Sequence, residues 1–552
     1  MEVSHEFYTR VLSSLTKVFP DCELADQPVT TGTALWNETF SFQVAYKSTW
    51  HLKQIKVNVE SALNEWMTVR SVGLVPSELP CVHDQDDIVL RKTPGLYPDP
   101  LYPLEETEGI TAFPGQWRSI WISVDLKNAK LSGSYPIDIT FESANSEILG
   151  REVFTLEVIA LELPEQTTYH TEWFHTDCLA TYYNVEIFSE AHWRLIEQYV
   201  HTAATHGVNM ILTPLFTPPL DTEVGGERPT VQLVDVEAVG DTYHFSFEKL
   251  ERWITLCREQ GIKYFEFSHL FTQWGAKHAP KIMVNEQGEL KRRFGWETYA
   301  AGEDYHQFLH QFLPKLVAFI DEHQLERNSF FHISDEPNGE DLPCYQRASE
   351  IIYQHLADFP IMDALSDYRF YEKGFVKNPI PANDHIGPFL EKGVENLWTY
   401  YCNGQKNKVS NRFFAMPSFR TRILGLQLYK FNVIGFLHWG YNFWYSQYSK
   451  KPIDPFKNTD ANYSFPSGDA FLVYPGEHGP IESIRLEVLN DAFQDIRALQ
   501  LLESYIGRQR VIEILEEGLD HELTFTDYPL ELDWHLLKRE RINRELKRYQ
   551  QM

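Results

Sequence analysis

From residue 1 to about 163 the apolar positions arrive in short runs split by polar, proline or glycine turns. The runs are SFQVAYKS, LKQIKVNV, WMTVRSVGLVP, WRSIWISVDL, SYPIDITFES and REVFTLEVIAL; this spacing predicts strands joined by tight connections. The last run alternates, with Phe154, Leu156, Val158 and Ala160 on one side and Thr155 and Glu157 on the other. A strand with one buried face reads this way. Long intervals without helical periodicity predict a two-sheet β-sandwich. LELPEQTTYH, 161–170, is the expected junction.

Beyond it the rhythm becomes strand, helix, strand. Strands are expected at 169–175, 208–215, 262–270, 329–335, 359–365, 384–389, 395–401 and 433–440. Helical stretches fall between several of them, such as VEIFSEAHWRLIEQYVHTAATHG and FSFEKLERWITLCREQG, each closing on a glycine suited to a C-terminal cap. Eight strands over about 270 residues fit a (β/α)8 TIM-like barrel better than a doubly wound sheet. No GxGxxG follows the first strand, which disfavours a dinucleotide fold. FPSGDAFLVYPG reads as a short hairpin, and ESIRLEVLNDAFQDIRALQLLESYIG and the final stretch as helices. The expected division is a multidomain chain: a β-sandwich at 1–163, a catalytic barrel at 164–450, and a hairpin with C-terminal helical elements at 451–552.

Composition narrows the function. Hydrophobic residues make up 43% of the 552, enough for sizeable cores. With 78 acidic against 49 basic residues, the net charge of -29 repels a phosphate backbone, so nucleic acid is not an expected partner. The six cysteines form no CxxC pair, so neither a metal site nor a redox pair is expected. No run approaches a membrane span, and the N-terminus lacks a signal-like apolar core, so a cytoplasmic protein is expected. The 36 Phe, 28 Tyr and 14 Trp serve equally as core filling and as the walls of a sugar cleft.

In a barrel, chemistry collects where strands end and loops begin. Those ends hold His175, Asp177, His269, Trp274, Asp335, Glu336, Asp363, Trp398, Tyr400, Tyr401, His438, Trp439, Tyr441 and Trp444. A few acids among aromatics, without glycine-rich or basic loops, suit a neutral hydroxylated ligand, and no cofactor is expected. Only one of Tyr400 and Tyr401 can face a pocket in a regular strand. His332 reads as a barrel-core residue, and Glu266 needs a buried partner, for which Arg420 and Arg422 are candidates.

The sharpest feature is FFHISDEPNGE, 330–340, where Asp335 and Glu336 precede Pro337 and a turn-like Asn338-Gly339. They are either two loop acids or a catalytic pair splayed along one substrate, with Pro337 expected to hold Glu336 extended. Glycoside hydrolysis needs an acid for the leaving oxygen and a group that stabilises charge at the sugar carbon. A 2-acetamido sugar supplies its own nucleophile, so adjacent acids suffice: Glu336 as general acid and Asp335 holding the amide.

FHISDEP, PSFRTRILGLQLYKFNVIGFLHWGYNFW and SGDAFLVYPGEHGPIESIRLEVLNDAFQDI together resemble the DUF4091 proteins, which include glycoside hydrolase family 123. The resemblance implies a sandwich followed by a barrel, and a retaining β-N-acetylgalactosaminidase with Asp335 as amide stabiliser and Glu336 as general acid. Its aromatic motif corresponds to LHWGYNFW, with His438 where other members often carry another residue. Expected ligands are small glycans ending in a β-linked 2-acetamido sugar. The alternatives are a glycosidase of other specificity, using Asp363 or Asp177 as a third carboxylate, and a non-catalytic carbohydrate-binding protein.

Overall fold

The computed structural model describes residues 5–104, 109–337, 340 and 342–550; the expected turn at Asn338-Gly339 lies outside them. The N-terminal part holds two five-stranded sheets. One runs in the order Phe7–Ser13, Thr39–Ser48, Arg118–Asp125, Met67–Ser77, Gly95–Pro103. The other runs Thr31–Trp36, Ile148–Glu162, Gly133–Glu142, Leu52–Glu60, Ile110–Ala112. Between them lies a core that includes Phe42, Val44, Ile122, Phe141, Phe154 and Leu156. The Phe42 and Phe154 rings stack at 4.1 Å. Each of the six expected runs is a strand; four others were not anticipated, among them GLYPDPLYP, whose prolines read as turns.

Six parallel strands follow in one sheet, ordered Ser329–Phe331, Tyr264–Phe267, Met210–Thr213, Tyr169–Glu172, Gly435–His438, Trp398–Tyr400. Met362–Ala364 and Asn378–Ile380 form a two-stranded parallel sheet. Single bridges, Phe331 with Ile361 and Ala382 with Tyr400, join this pair to the two edges of the larger sheet. In chain order the strands are first to eighth, and we refer to them so below. The concave side is filled by alternate residues. At the strand starts Tyr169, Tyr264, Phe330 and Trp398 pack ring against ring, Tyr169 on Trp398 at 5.1 Å. Segments following the second and third strands add a four-stranded sheet, Thr242–Ser246, Asp235–Val239, Ile282–Glu286, Glu289–Phe294.

The sixth strand differs from its expected place. DHIGPF at 384–389 turns into the helix Gly387–Glu391, which Pro388 opens. The strand is instead Asn378–Ile380, hidden by Pro379 and Pro381, which argue against a strand in sequence. The hairpin also shifts, to Tyr474–Gly476 and Gly479–Ile481.

The helix Ile484–Ile506 lies against the helix Phe419–Lys430, and both contact the last helix, Leu532–Gln550. Buried ion pairs tie these helices to the sandwich, Arg485 with Asp99 at 2.9 Å and Arg539 with Glu38 at 2.7 Å, while Arg539 also joins the last helix to Asp495 of the helix Ile484–Ile506 at 2.7 Å. The last helix also serves the outer edge of the strand Thr31–Trp36. The Thr33 N–H donates to Glu540 at 3.0 Å, and Asn543 donates to the Thr33 carbonyl at 3.2 Å. No helix among the described residues is long and apolar enough to cross a membrane.

Gly425 lets the first two of these helices meet backbone to backbone: a Cβ there falls 2.1 Å from the Ala492 carbonyl oxygen. Gly425→Ala therefore forces the helices apart, and its expected cost is about 1–3 kcal/mol, read as a lower midpoint in urea unfolding. An unchanged midpoint would show that the helices re-seat without loss.

Candidate active site

The fourth strand ends in the acid pair. Its preceding residues follow the sheet's alternation: Phe330 and His332 face the concave side, while Phe331 and Ile333 join the core behind it. At Asp335 the chain leaves the strand, and two hydrogen bonds hold the break. The Trp274 N–H donates to the Asp335 carbonyl at 2.8 Å, and the Glu336 N–H donates to the Ala364 carbonyl at 3.0 Å. Glu336 sits at φ +43°, not in the extended shape expected ahead of a proline. The two bonds fix a conformation that the residue alone disfavours.

Asp335 and Glu336 line one cavity of about 170 Å³ at the ends of the parallel strands. Of the other expected site residues, Trp274, Tyr400 and Trp439 line it too. Tyr400 donates its hydroxyl to Glu336 Oε1 at 2.7 Å. Trp274 stands edge-on to Tyr448 at 5.8 Å, and Trp439 donates its indole N–H to Asp469 at 3.0 Å.

The remaining expected residues lie elsewhere, for identifiable reasons. His175 is buried, bonded to the Trp439 carbonyl at 2.8 Å and to Arg228 at 3.1 Å. Asp177 is consumed by the same arginine at 2.6 and 2.9 Å. His438 has the wrong parity: Leu437 faces the cavity, and His438 accepts from Arg412 at 2.7 Å behind the strand. Tyr401 is likewise behind, against Phe436 and His438. Trp398 has the right parity but lies one layer down, on Tyr169. Tyr441 donates to the Tyr199 carbonyl at 3.0 Å, and Trp444 to the Val473 carbonyl at 3.3 Å, both buried. Asp363 is also absent from the lining. It accepts from the Ile333 N–H at 2.9 Å, from the Ser334 N–H at 3.3 Å and from Tyr345.

Below the cavity lies a fully buried chain of charge. Glu266 accepts from Trp173 at 2.6 Å, from His332 at 2.5 Å and from Thr171. These replace the expected arginines: Arg420 bonds Asp86, and Arg422 bonds Asp495. His332 reaches Asp363 with its other nitrogen at 3.3 Å. Burial opposes a charge on His332, but the hydrogen bonds to Asp363 and Glu266 outweigh it and lift the imidazole to about 9. His269 stacks on His332 at 4.3 Å, and burial pushes it well down, so it stays neutral.

Burial and mutual repulsion push Asp335 well up, against the pull of the His332 charge. Glu336 is pushed up by the surrounding protein, with the Tyr400 hydroxyl pulling back. Both carboxyls are thus held above the usual carboxylate range, and ionisation of Glu336 makes that of Asp335 harder. Asp221, which sequence reasoning missed, lines the same cavity and is pushed up to about 6 by burial. Trp173, Gln273, Cys402, Asn403 and Tyr448 were missed as well. Among the described residues the lining carries three carboxylates and no Lys, Arg or His.

Two groups place ligand-type atoms within 4.8 Å of one another: His269, His332 and Asp363, and His206, Glu482 and Glu487. In the first, both His332 nitrogens are already committed to carboxylates; in the second, Arg70 supplies the positive charge.

The whole architecture superposes on a family 123 glycoside hydrolase from Clostridium perfringens, described for glycolipid glycan hydrolysis. The TM-score is 0.72 at 16% identity, covering 98% of this chain and 97% of that one. Likeness to a Parabacteroides merdae β-glucuronidase is far weaker: TM-score 0.30, 10% identity, with 89% and 52% of the two chains covered. A Rhizomucor miehei family 5 mannosidase gives 0.33 at 10% identity over 63% and 95%. No curated protein sequence matches the chain. The glycoside hydrolase 123 catalytic domain matches residues 173–502, more than half of the 552. The chain therefore belongs to the glycoside hydrolase 123 family.

Proposed function

We propose that the protein is an exo-acting, retaining β-N-acetylgalactosaminidase in which the 2-acetamido group of the substrate is the nucleophile. The observation that carries this reading is the adjacent pair, Asp335 and Glu336, opening together into one cavity without a cationic side chain in its lining. We read the strand ring as a (β/α)8 barrel with its site at the C-terminal ends, and the chain as divided at 1–163, 164–450 and 451–552. A cavity of about 170 Å³ suits one terminal sugar ring, not a chain of them. Three carboxylates without a counter-charge favour an uncharged sugar over a uronic acid or a sulfated one.

In the reaction Glu336 protonates the departing glycosidic oxygen while the acetamide oxygen attacks the anomeric carbon. Asp335 accepts the amide N–H and stabilises the positive charge that grows on the oxazolinium ring. That N–H donor favours ionised Asp335, and the proton then rests on Glu336. Water, deprotonated by Glu336 acting as base, opens the ring with net retention. Trp173 and Trp439 offer flat walls for the sugar's apolar face. The glycan of a glycolipid is one source of such a terminal sugar.

Asp363 and Asp177 are both sequestered, so neither serves as the third carboxylate of a conventional two-acid mechanism. Asp221 in the cavity wall is the one observation that favours that second reading.

The discriminating assay uses 4-nitrophenyl β-glycosides of GalNAc, GlcNAc, galactose and glucose, with an N-acetyl thiazoline inhibitor. Turnover confined to the acetamido sugars and blocked by the thiazoline is expected; hydrolysis of galactoside or glucoside sinks substrate assistance. Asp335→Asn and Glu336→Gln each lower kcat by about 10²–10⁴-fold, and full activity in Glu336→Gln removes it as the acid.

Because Glu336 works protonated and its carboxyl is raised, kcat/KM falls as pH rises through that value. Tyr400→Phe deletes a donor that favours the ionised form, so the descending limb moves to higher pH; an unmoved limb denies Tyr400 that role.

A further inference from the structure

Asp221 enters the cavity from the segment that follows the second strand, and it is held there by the segment that follows the eighth. Its Oδ2 accepts the Tyr448 N–H at 3.0 Å, and the Ser449 hydroxyl donates to the Asp221 carbonyl at 2.7 Å. Both partners follow the eighth strand. In the six-stranded sheet the fourth strand lies at one edge, with the third, second and first strands between it and the eighth. Asp221 thus lines the cavity from the ends of the second and eighth strands, a different part of the rim from the fourth-strand end that carries Asp335 and Glu336, and its charge still reaches Asp335, whose carboxyl it helps to raise.

The carboxylate is not spent on a cation. Arg228, which also donates to the Leu220 carbonyl at 3.1 Å, is committed through two nitrogens to Asp177. Asp221 is half-buried, and among the described residues its carboxylate accepts from the Tyr448 amide alone. Its backbone is held at φ +37°, and Tyr448 sits at +59°. An aspartate held in such a conformation, facing a cavity, is placed to accept from a ligand. Burial lifts it to about 6, which leaves it largely ionised at neutral pH.

Sugar geometry then says which part of a ligand it meets. The acid pair addresses the glycosidic oxygen on C1 and the amide on C2. Across a pyranose ring from those two carbons lie C4 and C5, bearing the 4-hydroxyl and the C6 hydroxymethyl. GalNAc and GlcNAc differ only in the orientation of the 4-hydroxyl.

We infer that Asp221 is the specificity-determining residue of the cavity, accepting the 4- or 6-hydroxyl of the terminal sugar and so selecting between C4 epimers. The inference rests on the glycosidase reading above, in which the acid pair works at C1 and C2. It assigns Asp221 a binding role, distinct from that of a nucleophile or base.

The test is a cycle of enzyme and substrate changes. Wild type, Asp221→Asn and Asp221→Ala are assayed on the 4-nitrophenyl β-glycoside that wild type prefers, on its C4 epimer, and on its 4-deoxy and 6-deoxy analogues. Melting curves confirm that the variants are folded; Asp221→Asn keeps the size of the side chain and an acceptor for the Tyr448 amide. A hydrogen bond to a charged group predicts that Asp221→Ala loses roughly 10- to 150-fold in kcat/KM on the preferred sugar. That loss should shrink to near unity on one deoxy analogue, and the ratio between C4 epimers should collapse toward one. An equal loss on all four substrates overturns the inference and returns Asp221 to a role in the chemistry or in the fold. Wild-type parity in Asp221→Ala overturns it as well.

The same cycle separates this inference from the reading beneath it. If the preferred sugar lacks an acetamido group, substrate assistance fails. The deoxy comparison on that sugar still decides whether Asp221 reads a hydroxyl.

Discussion

A protonated imidazole between two buried carboxylates is the interaction on which the cavity end of this protein depends. Glu266 and Asp363 are fully buried, and carboxyl groups in such a place require hydrogen-bond partners and a compensating charge. His332 supplies it and spends both nitrogens doing so. The same three residues are also structural couplers. Glu266 fixes Trp173 and Thr171 of the first strand, while Asp363 of the fifth strand binds the backbone of Ile333 and Ser334, just ahead of the acid pair. The cluster that stabilises the concave side of the sheet therefore also braces the fourth strand just before it breaks. The His332 charge lies close enough to pull the Asp335 carboxyl down against burial and Glu336.

Strand parity and layer explain what the sequence made legible and what it did not. The acid pair could be located because an apolar run stopping on two acids and a proline marks a strand end from local information alone. Trp439 followed from the same reasoning, whereas the choice between Tyr400 and Tyr401 stayed open until the structure placed Tyr400 in the lining. His438 and Trp398 did not: one points behind the sheet and the other lies a layer too deep, and a strand end known only to within a residue or two settles neither. Glu266 was recognised as needing a partner, but its partners come from strands distant in sequence, and no spacing rule connects position 266 with positions 171, 173 and 332. Asp221 was unreadable for a further reason. It sits well past its strand, in a segment whose course is set by a contact with residue 448. The sixth strand was masked by prolines that a three-residue strand tolerates.

Four cavity residues, Asp221, Trp274, Glu336 and Tyr448, share positive φ values. Each is held by a hydrogen bond to another rim segment: Trp274 to Asp335, Glu336 to Ala364, and Tyr448 to Asp221. The rim is thus a set of mutually braced turns, and the geometry of the acid pair is inherited from two neighbours, the segment that carries Trp274 and the fifth strand at Ala364. Such bracing favours a preformed cavity, with little ordering left to be done when a ligand enters.

The helix Leu532–Gln550, which hydrogen-bonds the exposed backbone of Thr33, carries a consequence for how the chain is made. On the ribosome the sandwich strands emerge hundreds of residues before the helix that covers their outer edge. Throughout that interval the strand Thr31–Trp36 presents an unpaired edge, a template for another chain or for misplaced segments of its own. Arg539 and Asn543 must also arrive before Glu38 and Thr33 gain their buried partners. Nascent chains released early are therefore expected to be the aggregation-prone species of this protein, even where all sandwich strands have been synthesised.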